Sequence, residues 1–512
     1  MHDVIVVGAG GSGLAAAVSA AECGCRVLVL EKRPAPGGTT GIAVGSFTAN
    51  QTRLQRAAGL EDDPVAHDAD AGKFSAADIE ARNHSALRAH FLRHSAEALH
   101  WLMDMGLTFH GPSPEPPNRV PRMHNVVPGA KAYIAALQMR LTRLGGEVLC
   151  DAAVMELLRA DGRVCGVRAL VHGAERELHA TRGVVLAAGD YANSPELIAR
   201  HKGERFANIE GINPHATGDG HRLAQAAGAR LLNMDITYGP ELRFVAPPGR
   251  TFQQLLPTRQ PWAGLLGRLL PLVPRAVMHA FIRRLLVTWQ HPENALFDDG
   301  AILLNRAGER FCNERIFPDR ELAIAAQPGK TAYILLDERL AERYSRWPHF
   351  VSTAPQIAYA YVADYARLRP DITLITDSLE TLATRRGLPA QAVRQSVEAF
   401  NRHAATRTAD AFGRPGDCPP LAGRRWVLLG PAKAWFTTTE GGAAITERCE
   451  VLGSDGAPIP GLYAVGQNGL GGQVLWGHGL HIGWALTSGY LVGRVLGNLT
   501  SLDGGASAAD SK

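Results

Sequence analysis

Cysteine is scarce in this sequence, and the few cysteines show no functional spacing. Seven occur among 512 residues, at Cys23, Cys25, Cys150, Cys165, Cys312, Cys418 and Cys449. An odd number without a C-x-x-C pair supplies neither a disulfide framework nor the ligand spacing of a zinc site. His90 and His94 lie four residues apart, but no further ligands can be placed beside them. We therefore expect reduced, mostly packed thiols and no metal site.

Long apolar runs and blocks of basic residues are missing as well. No apolar run reaches the roughly 18 residues that a membrane-spanning helix needs. The first strand-like run begins at His2, which leaves no room for a signal sequence. The net charge is only +4, and no block of lysine and arginine is interleaved with aromatic residues. No nucleic-acid partner is therefore expected, and the prediction is a cytoplasmic protein.

Acidic residues are absent from the segment 261–292. Its leucines and two tryptophans are accompanied by four arginines, Arg268, Arg275, Arg283 and Arg284. An apolar surface whose charged positions are all basic is typical of a helix that lies on anionic lipid. Pro271 and Pro274 interrupt the helix, so a lid or dimer surface with solvated arginines is the alternative. Peripheral contact with the inner face of a membrane is thus one of two expectations for this segment.

Glycine, by contrast, is abundant. The 55 glycines, together with 46% hydrophobic and 20% charged residues, favour an α/β protein with many tight turns. The chain is several times longer than the usual domain of about 100–200 residues, so we expect two large lobes, each with its own core.

The first glycines of the chain predict a dinucleotide site. The spacing G-x-G-x-x-G is found at Gly8, Gly10 and Gly13. It follows the apolar run Val4–Val7, and it lets a tight turn close, a backbone approach a pyrophosphate and a helix pack on a strand. A second predicted strand, Val27–Leu30, ends in Glu31, where a carboxylate can accept hydrogen bonds from an unphosphorylated ribose. The alternative is a glycine-rich turn without a ligand.

A second glycine-rich stretch, Gly37-Gly38-Thr39-Thr40, follows this acid. Together with the first strand, helix and acid, it resembles the flavoprotein family of FAD-dependent fumarate reductases and 3-ketosteroid dehydrogenases (FAD-binding 2 type). The resemblance implies an α/β fold, with a Rossmann-like FAD-binding domain and an inserted α+β capping domain that binds substrate. Fumarate reductases that attach FAD covalently use a histidine in this region. None occurs between Lys32 and His67, so FAD should be bound noncovalently.

The resemblance covers nearly the whole chain and divides it into lobes. Residues 1–238 and 437–497 are expected to form the FAD-binding domain, and residues 239–436 the substrate domain. The small, polar tail 498–512 is expected to be disordered. Residues 75–106 have apolar residues spaced three to four apart and predict one helix that ends at a glycine.

Further motifs of the family assign residues to the FAD site. Residues 183–190 end an apolar strand in small residues, 213–220 reproduce a TGDG turn, and 461–467 match a GLYAAGE strand with glutamine in place of the acid. Residues 477–486 resemble the last helix, whose N-terminus stabilises negative charge on the flavin. Asp219 should face the flavin side, and capping of the next helix is its other interpretation. The implied FAD-binding residues are Gly8, Gly10, Gly11, Ser12, Gly13, Glu31, Lys32, Gly38, Thr39, Thr40, Val154, Ala188, Gly189, Asp219, Gly466, Gln467, His481 and Ile482.

The segment Ile302–Glu314 resembles the family motif N-x-x-G-x-R-F-x-N-E and predicts a strand, a tight turn and a second strand. Soon after it, fumarate reductases carry a proton-delivering arginine and ketosteroid dehydrogenases carry a tyrosine, whereas this chain has the run FPDR at 317–320. Arg320 is therefore the first candidate for proton transfer or substrate polarisation. An ion pair with Asp319 or Glu321 is the alternative.

The substrate is expected to be neutral. The histidine and arginine with which fumarate reductases clamp a dicarboxylate correspond approximately to Thr438 and Trp476. A hydroxyl and an indole there suit an apolar molecule. Gly479 matches the glycine whose N–H binds the ketone in ketosteroid dehydrogenases, although Leu475 stands where their tyrosine would.

The resemblance thus implies α,β-dehydrogenation, or the reverse ene-reduction, next to the carbonyl of a 3-ketosteroid-like or cyclic ketone. Gly479 N–H is expected to polarise the carbonyl with help from His478 or His481. The expected proton carriers are Arg320 or a tyrosine such as Tyr359 or Tyr361. The electron donor or acceptor is not identified. The alternatives are reduction of an unsaturated carboxylate, as in fumarate reductases, and a flavin-binding redox protein without substrate chemistry.

Noncovalent binding predicts that the flavin separates from the chain on denaturation. Acid precipitation of the purified protein should leave the absorption spectrum of free FAD in the supernatant and a colourless pellet. Flavin absorption that stays in the washed pellet would contradict noncovalent binding.

Overall fold

Parallel strands near the N-terminus form the centre of the larger lobe. The computed structural model describes residues 1–247, 249, 256, 273–354 and 358–499. The strands are β1 His2–Val7, β2 Val27–Leu30, β3 Ser46–Thr48, β4 Thr108–Ser113, β5 Met123–Val127, β6 Glu147–Leu149, β7 Ala152–Ala160, β8 Arg163–Val171, β9 Ala174–Leu186, β10 Glu210–Gly211, β11 Leu231–Leu232, β12 Thr237–Tyr238, β13 Glu241–Phe244, β14 Ile302–Leu304, β15 Ala332–Leu336, β16 Ser352–Ala354, β17 Ala358–Ala360, β18 Thr373–Thr376, β19 Trp426–Phe436, β20 Thr438–Thr439, β21 Gly442–Ala443, β22 Glu450–Leu452 and β23 Pro458–Ala464.

The α-helices of the described residues are α1 Gly11–Glu22, α2 Arg53–Ala57, α3 Pro64–Ala71, α4 Ala77–Glu80, α5 Ser85–Asp104, α6 Lys131–Arg143, α7 Pro195–Lys202, α8 Asp219–Ala226, α9 Arg275–Trp289, α10 Ala295–Asp298, α11 Asp319–Ala325, α12 Glu338–Arg343, α13 Val362–Leu368, α14 Leu379–Arg386, α15 Ala390–Thr406 and α16 Leu480–Gly497.

The sheet of the FAD lobe has the strand order β22-β23-β9-β1-β2-β6, with β8 paired to β9 and β7 paired to β8. Strands β23, β9, β1, β2 and β6 are mutually parallel. Strands β1 and β2 carry almost continuous buried apolar residues, as expected for strands that are covered on both faces. Because parallel strands end at the same edge, the Gly8 turn and Glu31 lie side by side there.

Helix α1 fixes the start of this edge. It packs on the sheet and on α16, and of its residues only Glu22 is exposed. Ser19 Oγ donates a hydrogen bond to the carbonyl oxygen of Tyr490 at 2.7 Å. The first and last parts of the chain therefore form one core.

The second lobe, called the capping lobe below, is built on β19. Strands β10, β13, β15 and β18 pair with it, and β14 pairs with β15. All of these except β10 fall within residues 239–436, and they enclose a separate apolar core. The short pair β12–β20 lies where the chain passes between the lobes.

Two local predictions are wrong, and side-chain hydrogen bonds explain both. Residues 75–106 form two helices, because α4 already ends at Glu80 and His84 starts α5 as its N-cap, with its Nδ1 accepting the backbone N–H of Leu87 at 3.1 Å. In Ile302–Glu314 only β14 is extended. The Asn305 side chain accepts two following backbone N–H groups, and the Glu314 carboxylate accepts the N–H of Leu303 at 3.2 Å, so a second strand does not form.

Several predictions concern regions that are described only in part. Residues 261–272 of the acid-free segment and 500–512 of the tail lie outside the described residues, and α9 covers most of 273–292. Within the described ranges no helix has both the length and the hydropathy to cross a membrane. All seven cysteines are free thiols.

A buried ion network holds the segment 113–122 against the FAD lobe. Arg122 has no exposed side-chain surface, nor do its partners Asp62 and Asp70. Its guanidinium donates to Asp62 Oδ1 and Oδ2 at 2.7 and 2.8 Å and to Asp70 Oδ2 at 2.7 Å. The network fixes the loop between β4 and β5.

Replacing Arg122 with alanine should destabilise the protein by about 3–5 kcal/mol, because the buried Asp62 carboxylate loses its cation, whereas Asp70 keeps Lys73 and Arg119. Urea unfolding of Arg122→Ala and wild type measures the difference. Arg93→Ala is the control, since Arg93 is 51% exposed and its ion pair with Glu447 is long, at 3.8 Å. Equal midpoints for Arg122→Ala and Arg93→Ala would contradict the role of the network.

Candidate active site

The Gly8 turn has the shape of a phosphate cradle. A Cβ on Gly13 would lie 1.9 Å from the carbonyl oxygen of Gly8, so only glycine fits there. A Cβ on Gly10 would meet nothing closer than 3.9 Å, so the turn leaves open space above its backbone. Helix α1 begins there without a side-chain cap, and its first N–H groups are available to an anion.

Other residues predicted to bind the cofactor converge on this turn. A Cβ on Gly11 would lie 2.6 Å from Thr40 Oγ1, one on Gly38 would lie 3.1 Å from Gly10 Cα, and one on Gly466 would lie 2.7 Å from Ser12 Oγ. Thr39 Oγ1 accepts a hydrogen bond from Asn213 Nδ2 at 2.9 Å. The structure therefore brings segments from four parts of the chain to the start of α1.

Glu31 ends β2 and is buried. Its carboxylate accepts the backbone N–H of Ala9 at 2.9 Å and that of Arg33 at 3.0 Å. A carboxylate has about four acceptor positions, so further hydrogen bonds from ribose hydroxyls can be accepted. The placement fits the role expected of Glu31.

Lys32 and Asp219 form a second polar group near this edge. Lys32 Nζ donates to Asp219 Oδ2 at 2.8 Å and to Thr217 Oγ1 at 2.7 Å. Capping of the next helix by Asp219 is wrong, because α8 has Gly218 as its N-cap and no side-chain cap bond. Val154 lies on β7, across from α8.

The end of β9 is held by an asparagine that the sequence motifs did not single out. Asn468 Oδ1 accepts the N–H of Ala188 at 2.6 Å, and Asn468 Nδ2 donates to the carbonyl oxygen of Gly189 at 2.9 Å. Burial raises the pKa of the neighbouring Asp190 to about 6. Three buried polar atoms nearby, Gln467 Oε1, Gln473 Oε1 and Trp476 Nε1, have no hydrogen-bond partner among the described residues. Unpaired buried polar atoms of this kind fit a polar ligand such as FAD.

Charged groups of the two lobes meet around three histidines. Glu115, Glu241 and Arg243 act electrostatically on His478, and Glu241, Arg243 and His478 act on His291. The exposed fractions of the side chains are 61% for His478, 44% for His291 and 24% for His481. Solvent therefore reaches groups of both lobes here, and we call this region the cleft below.

His478 is fixed at its backbone and at one ring nitrogen. Its N–H donates to Glu115 Oε1 at 3.0 Å, and its Nδ1 contacts the same carboxylate oxygen. Thr48 Oγ1 donates to the carbonyl oxygen of His478 at 2.6 Å. Hydrogen bonding to Glu115 raises the pKa of His478 against the opposing effect of burial. Its Nε2 has no hydrogen-bond partner among the described residues.

Gly479 presents its backbone N–H at the start of α16. It has φ of 83°, and a Cβ would lie 2.8 Å from Thr48 Oγ1, so glycine is required. No described residue accepts its N–H, and the helix has no side-chain cap. Uncapped N–H groups at a helix N-terminus stabilise negative charge on an adjacent oxygen. Ile482 lies in the first turn of the same helix.

His481 faces the interior. Its Nε2 lies 2.8 Å from Oε1 of the fully buried Glu440. Burial lowers the pKa of His481, but Glu440 outweighs this effect, so the pKa is raised. The Gln467 amide lies 3.2 Å from His481 Nδ1 and donates to Thr438 Oγ1 at 2.5 Å.

The capping lobe contributes its own charged pair. Arg243 Nη2 donates to Glu241 Oε2 at 2.7 Å, and Thr437 Oγ1 donates to the same oxygen at 2.9 Å. His291 Nδ1 lies 3.8 Å from Glu241 Oε1. Burial lowers the pKa of His291 against the opposing effect of Glu241.

Two aromatic rings form one wall of the cleft. Tyr238 and Trp476 meet edge to face with ring centroids 5.7 Å apart. Burial raises the pKa of Tyr238 to about 12, so its hydroxyl stays protonated. The structure thus places an apolar surface beside the polar groups of the cleft.

The other candidate proton carriers make contacts of their own. Arg320 is buried, and its guanidinium donates to Glu321 Oε1 at 2.6 and 2.9 Å, to Asn294 and to the Glu314 carbonyl. This is the alternative ion pair, although with Glu321 and not with Asp319, which pairs with Arg205. Tyr359 stacks on Phe350 in the β16–β17 hairpin, and Tyr361 caps α13.

Sequence reasoning missed the cleft residues Glu115, Tyr238, Glu241, Arg243 and His291. Glu115 carried one usable signal, since it is the only acid in the proline-rich segment 112–117. The others stand near the predicted lobe boundary at 239 or at the end of the acid-free segment. Their convergence depends on tertiary folding, which no local pattern shows.

Comparison with known proteins identifies the family. The family model described as an FAD binding domain matches residues 3–245 and 269–474. The chain belongs to this family. It is 27% identical over 476 residues to the NADH:fumarate oxidoreductase of Klebsiella pneumoniae. This alignment covers 91% of this chain but only 44% of that protein.

Two further similarities extend over nearly the full length of both aligned proteins. The vinyl phenol reductase of Lactiplantibacillus plantarum is 26% identical over 517 residues, 96% of each chain. The crystal structure of a 3-ketosteroid-delta4-(5alpha)-dehydrogenase from Rhodococcus jostii is 25% identical, has a TM-score of 0.58 and covers 97% of each chain. These comparisons confirm the expected family, the Rossmann-like α/β fold and FAD as the cofactor, and they class the protein as an FAD-dependent oxidoreductase.

The space above Gly10 gives a direct test of the cradle. Gly10→Ala should leave the fold and melting temperature of the FAD-free protein unchanged, because the added methyl meets no protein atom within 3.9 Å. It should weaken FAD binding about tenfold or more, because the backbone can no longer approach the pyrophosphate. Titration of FAD-free protein with FAD measures this affinity, and an unchanged dissociation constant would contradict the assignment.

Proposed function

We propose that the protein transfers hydride between FAD and a carbon–carbon bond conjugated to the carbonyl of a neutral, mostly apolar substrate. The substrate class is 3-ketosteroid-like or cyclic ketones, and the reaction is ene-reduction or the reverse α,β-dehydrogenation. Bound FAD supplies the hydride chemistry. The residues of the chain bind the substrate, polarise its carbonyl and move the proton.

The observation that supports a neutral substrate is the pairing of charges around the cleft. Each cationic side chain described there lies against a carboxylate: His478 against Glu115, His481 against Glu440, Arg243 against Glu241 and Arg320 against Glu321. A dicarboxylate needs uncompensated cations, because desolvating its two charges is otherwise unfavourable. The Tyr238–Trp476 wall offers contact for an apolar ring.

In this reaction Gly479 binds the substrate carbonyl and His478 transfers the proton. The Gly479 N–H donates a hydrogen bond to the substrate carbonyl oxygen, where negative charge develops. In reduction, Nε2 of protonated His478 donates a proton to the α-carbon, and in dehydrogenation the neutral imidazole accepts it. Arg320 is not needed for this step, because its donors hold Glu321, Asn294 and the Glu314 carbonyl.

Reduction of an unsaturated carboxylate is the second candidate, supported by the name of the Klebsiella relative. A flavin-binding redox protein without substrate turnover is the candidate of another class. The electron donor or acceptor remains to be identified. Cytoplasmic location and membrane contact through 261–292 stay predictions, and Val277 on α9, which is 56% exposed, is consistent with such contact.

Anaerobic oxidation of the dithionite-reduced protein separates these candidates. Cyclohex-2-enone and a 3-keto-4-ene steroid should restore the oxidised flavin spectrum faster than fumarate does. Rapid reoxidation by fumarate alone would favour the carboxylate candidate. Reoxidation by none of these compounds, together with no bleaching of the oxidised flavin by 3-ketosteroids, would contradict substrate turnover.

Removal of the proton donor should slow the same reaction. His478→Ala is expected to lower the rate of enone reduction by about 10²–10⁴, the usual contribution of a general acid. His94→Ala is the control, because this histidine lies on α5, where it contacts Glu97 and His90. Full turnover by His478→Ala would contradict the proposed proton transfer.

A further inference from the structure

Glu115 is a buried acid to which the proposed reaction assigns no role. It lies in the segment Ser113-Pro114-Glu115-Pro116-Pro117, whose prolines restrict the backbone. Glu115 Oε1 meets both the N–H and Nδ1 of His478, and Oε2 has no hydrogen-bond partner among the described residues. The carboxylate is therefore directed at one residue.

Contacts within the FAD lobe set the position of Glu115. Asn118 N–H donates to the Glu115 carbonyl oxygen at 2.9 Å, and Arg122 Nη1 donates to Asn118 Oδ1 at 3.1 Å. Arg122 is in turn held by the buried carboxylates of Asp62 and Asp70. A chain of contacts within the FAD lobe thus fixes Glu115.

We propose that Glu115 is the positioning residue for proton transfer: it holds the imidazole of His478 through Nδ1, so that Nε2 faces the cleft. This inference rests on the proposed function, because that function gives His478 the proton. A carboxylate on Nδ1 keeps that nitrogen protonated and leaves Nε2 as the atom that gains or loses the exchanged proton.

The charges around His478 favour this role. The groups that face it are Glu115 from the β4–β5 loop, Glu241 and Arg243 from β13, and His291 from the segment after α9. Glu241 and Arg243 neutralise each other. Glu115 thus makes the largest contribution that raises the pKa of His478, and burial opposes it.

The test uses full-length, FAD-loaded protein as wild type and Glu115→Gln. Titration of nitrogen-15-labelled histidines by NMR gives the midpoint of His478, whose resonance is assigned from its loss in His478→Gln. We expect the midpoint to fall by about one pH unit or more in Glu115→Gln, the usual effect of losing an adjacent opposite charge. An unchanged midpoint would overturn the inference.

Turnover supplies the second readout. With cyclohex-2-enone, the pH limb that reports His478 should move to lower pH in Glu115→Gln, and kcat should fall while KM stays near its wild-type value. Glu115→Asp keeps the charge and should keep most of the raised midpoint, so it also serves if Glu115→Gln folds poorly. A loss of kcat without a shift of the limb or of the NMR midpoint would assign Glu115 a merely structural role and overturn the inference.

Glu447→Gln is the matched control. Glu447 is 58% exposed and lies 3.5 Å from His90 Nδ1 on α5. Its loss should therefore change neither the NMR midpoint of His478 nor the pH limb of turnover. If the wild type turns over no enone, the proposed function fails, but the NMR titration still decides whether Glu115 controls His478. The two failures are therefore distinguishable.

Discussion

The close contact between the Gly8 turn, helix α1 and the end of β9 is the constraint on which the rest of the structure depends. A Cβ on Gly8 would lie 2.4 Å from the carbonyl oxygen of Ala187, and one on Gly13 would clash with the turn itself. This packing places the open start of α1 at the carboxyl edge of five parallel strands. Glu31, Lys32 and the segments around Thr40 and Gly466 then gather at the same edge, as an extended dinucleotide requires.

The cleft combines polar groups from two lobes, each with its own apolar core. His478 and Gly479 are fixed to the FAD lobe through Thr48 and Glu115, so the groups assigned to the proton and the carbonyl keep one position relative to the cofactor site. Glu241, Arg243 and His291 come from the capping lobe and its junction. In this account the FAD lobe determines the chemistry, and the capping lobe with its paired charges selects a substrate without net charge.

The sequence predicted those parts of the site that depend on local spacing. The glycine turn, the acid after β2 and the glycine at the start of α16 are recognisable because each function needs particular residues at fixed intervals. The partners of His478 and His481 were not predictable in this way, since Glu115 and His478 are 363 residues apart in the chain. The wrong strand after Leu304 and the wrong single helix at 75–106 have a related cause. In both, the side chains of Asn305, Glu314 and His84 take up backbone N–H groups that periodicity assigns to regular structure.

The most direct test of the central claim is a crystal structure of the FAD-loaded protein with a saturated cyclic ketone in the cleft. The account predicts that the ketone oxygen accepts the Gly479 N–H, that His478 Nε2 lies beside the α-carbon, and that the ring contacts Tyr238 and Trp476. A ketone oxygen bound instead by Arg320 or Arg243, with His478 turned away from the ligand, would contradict it.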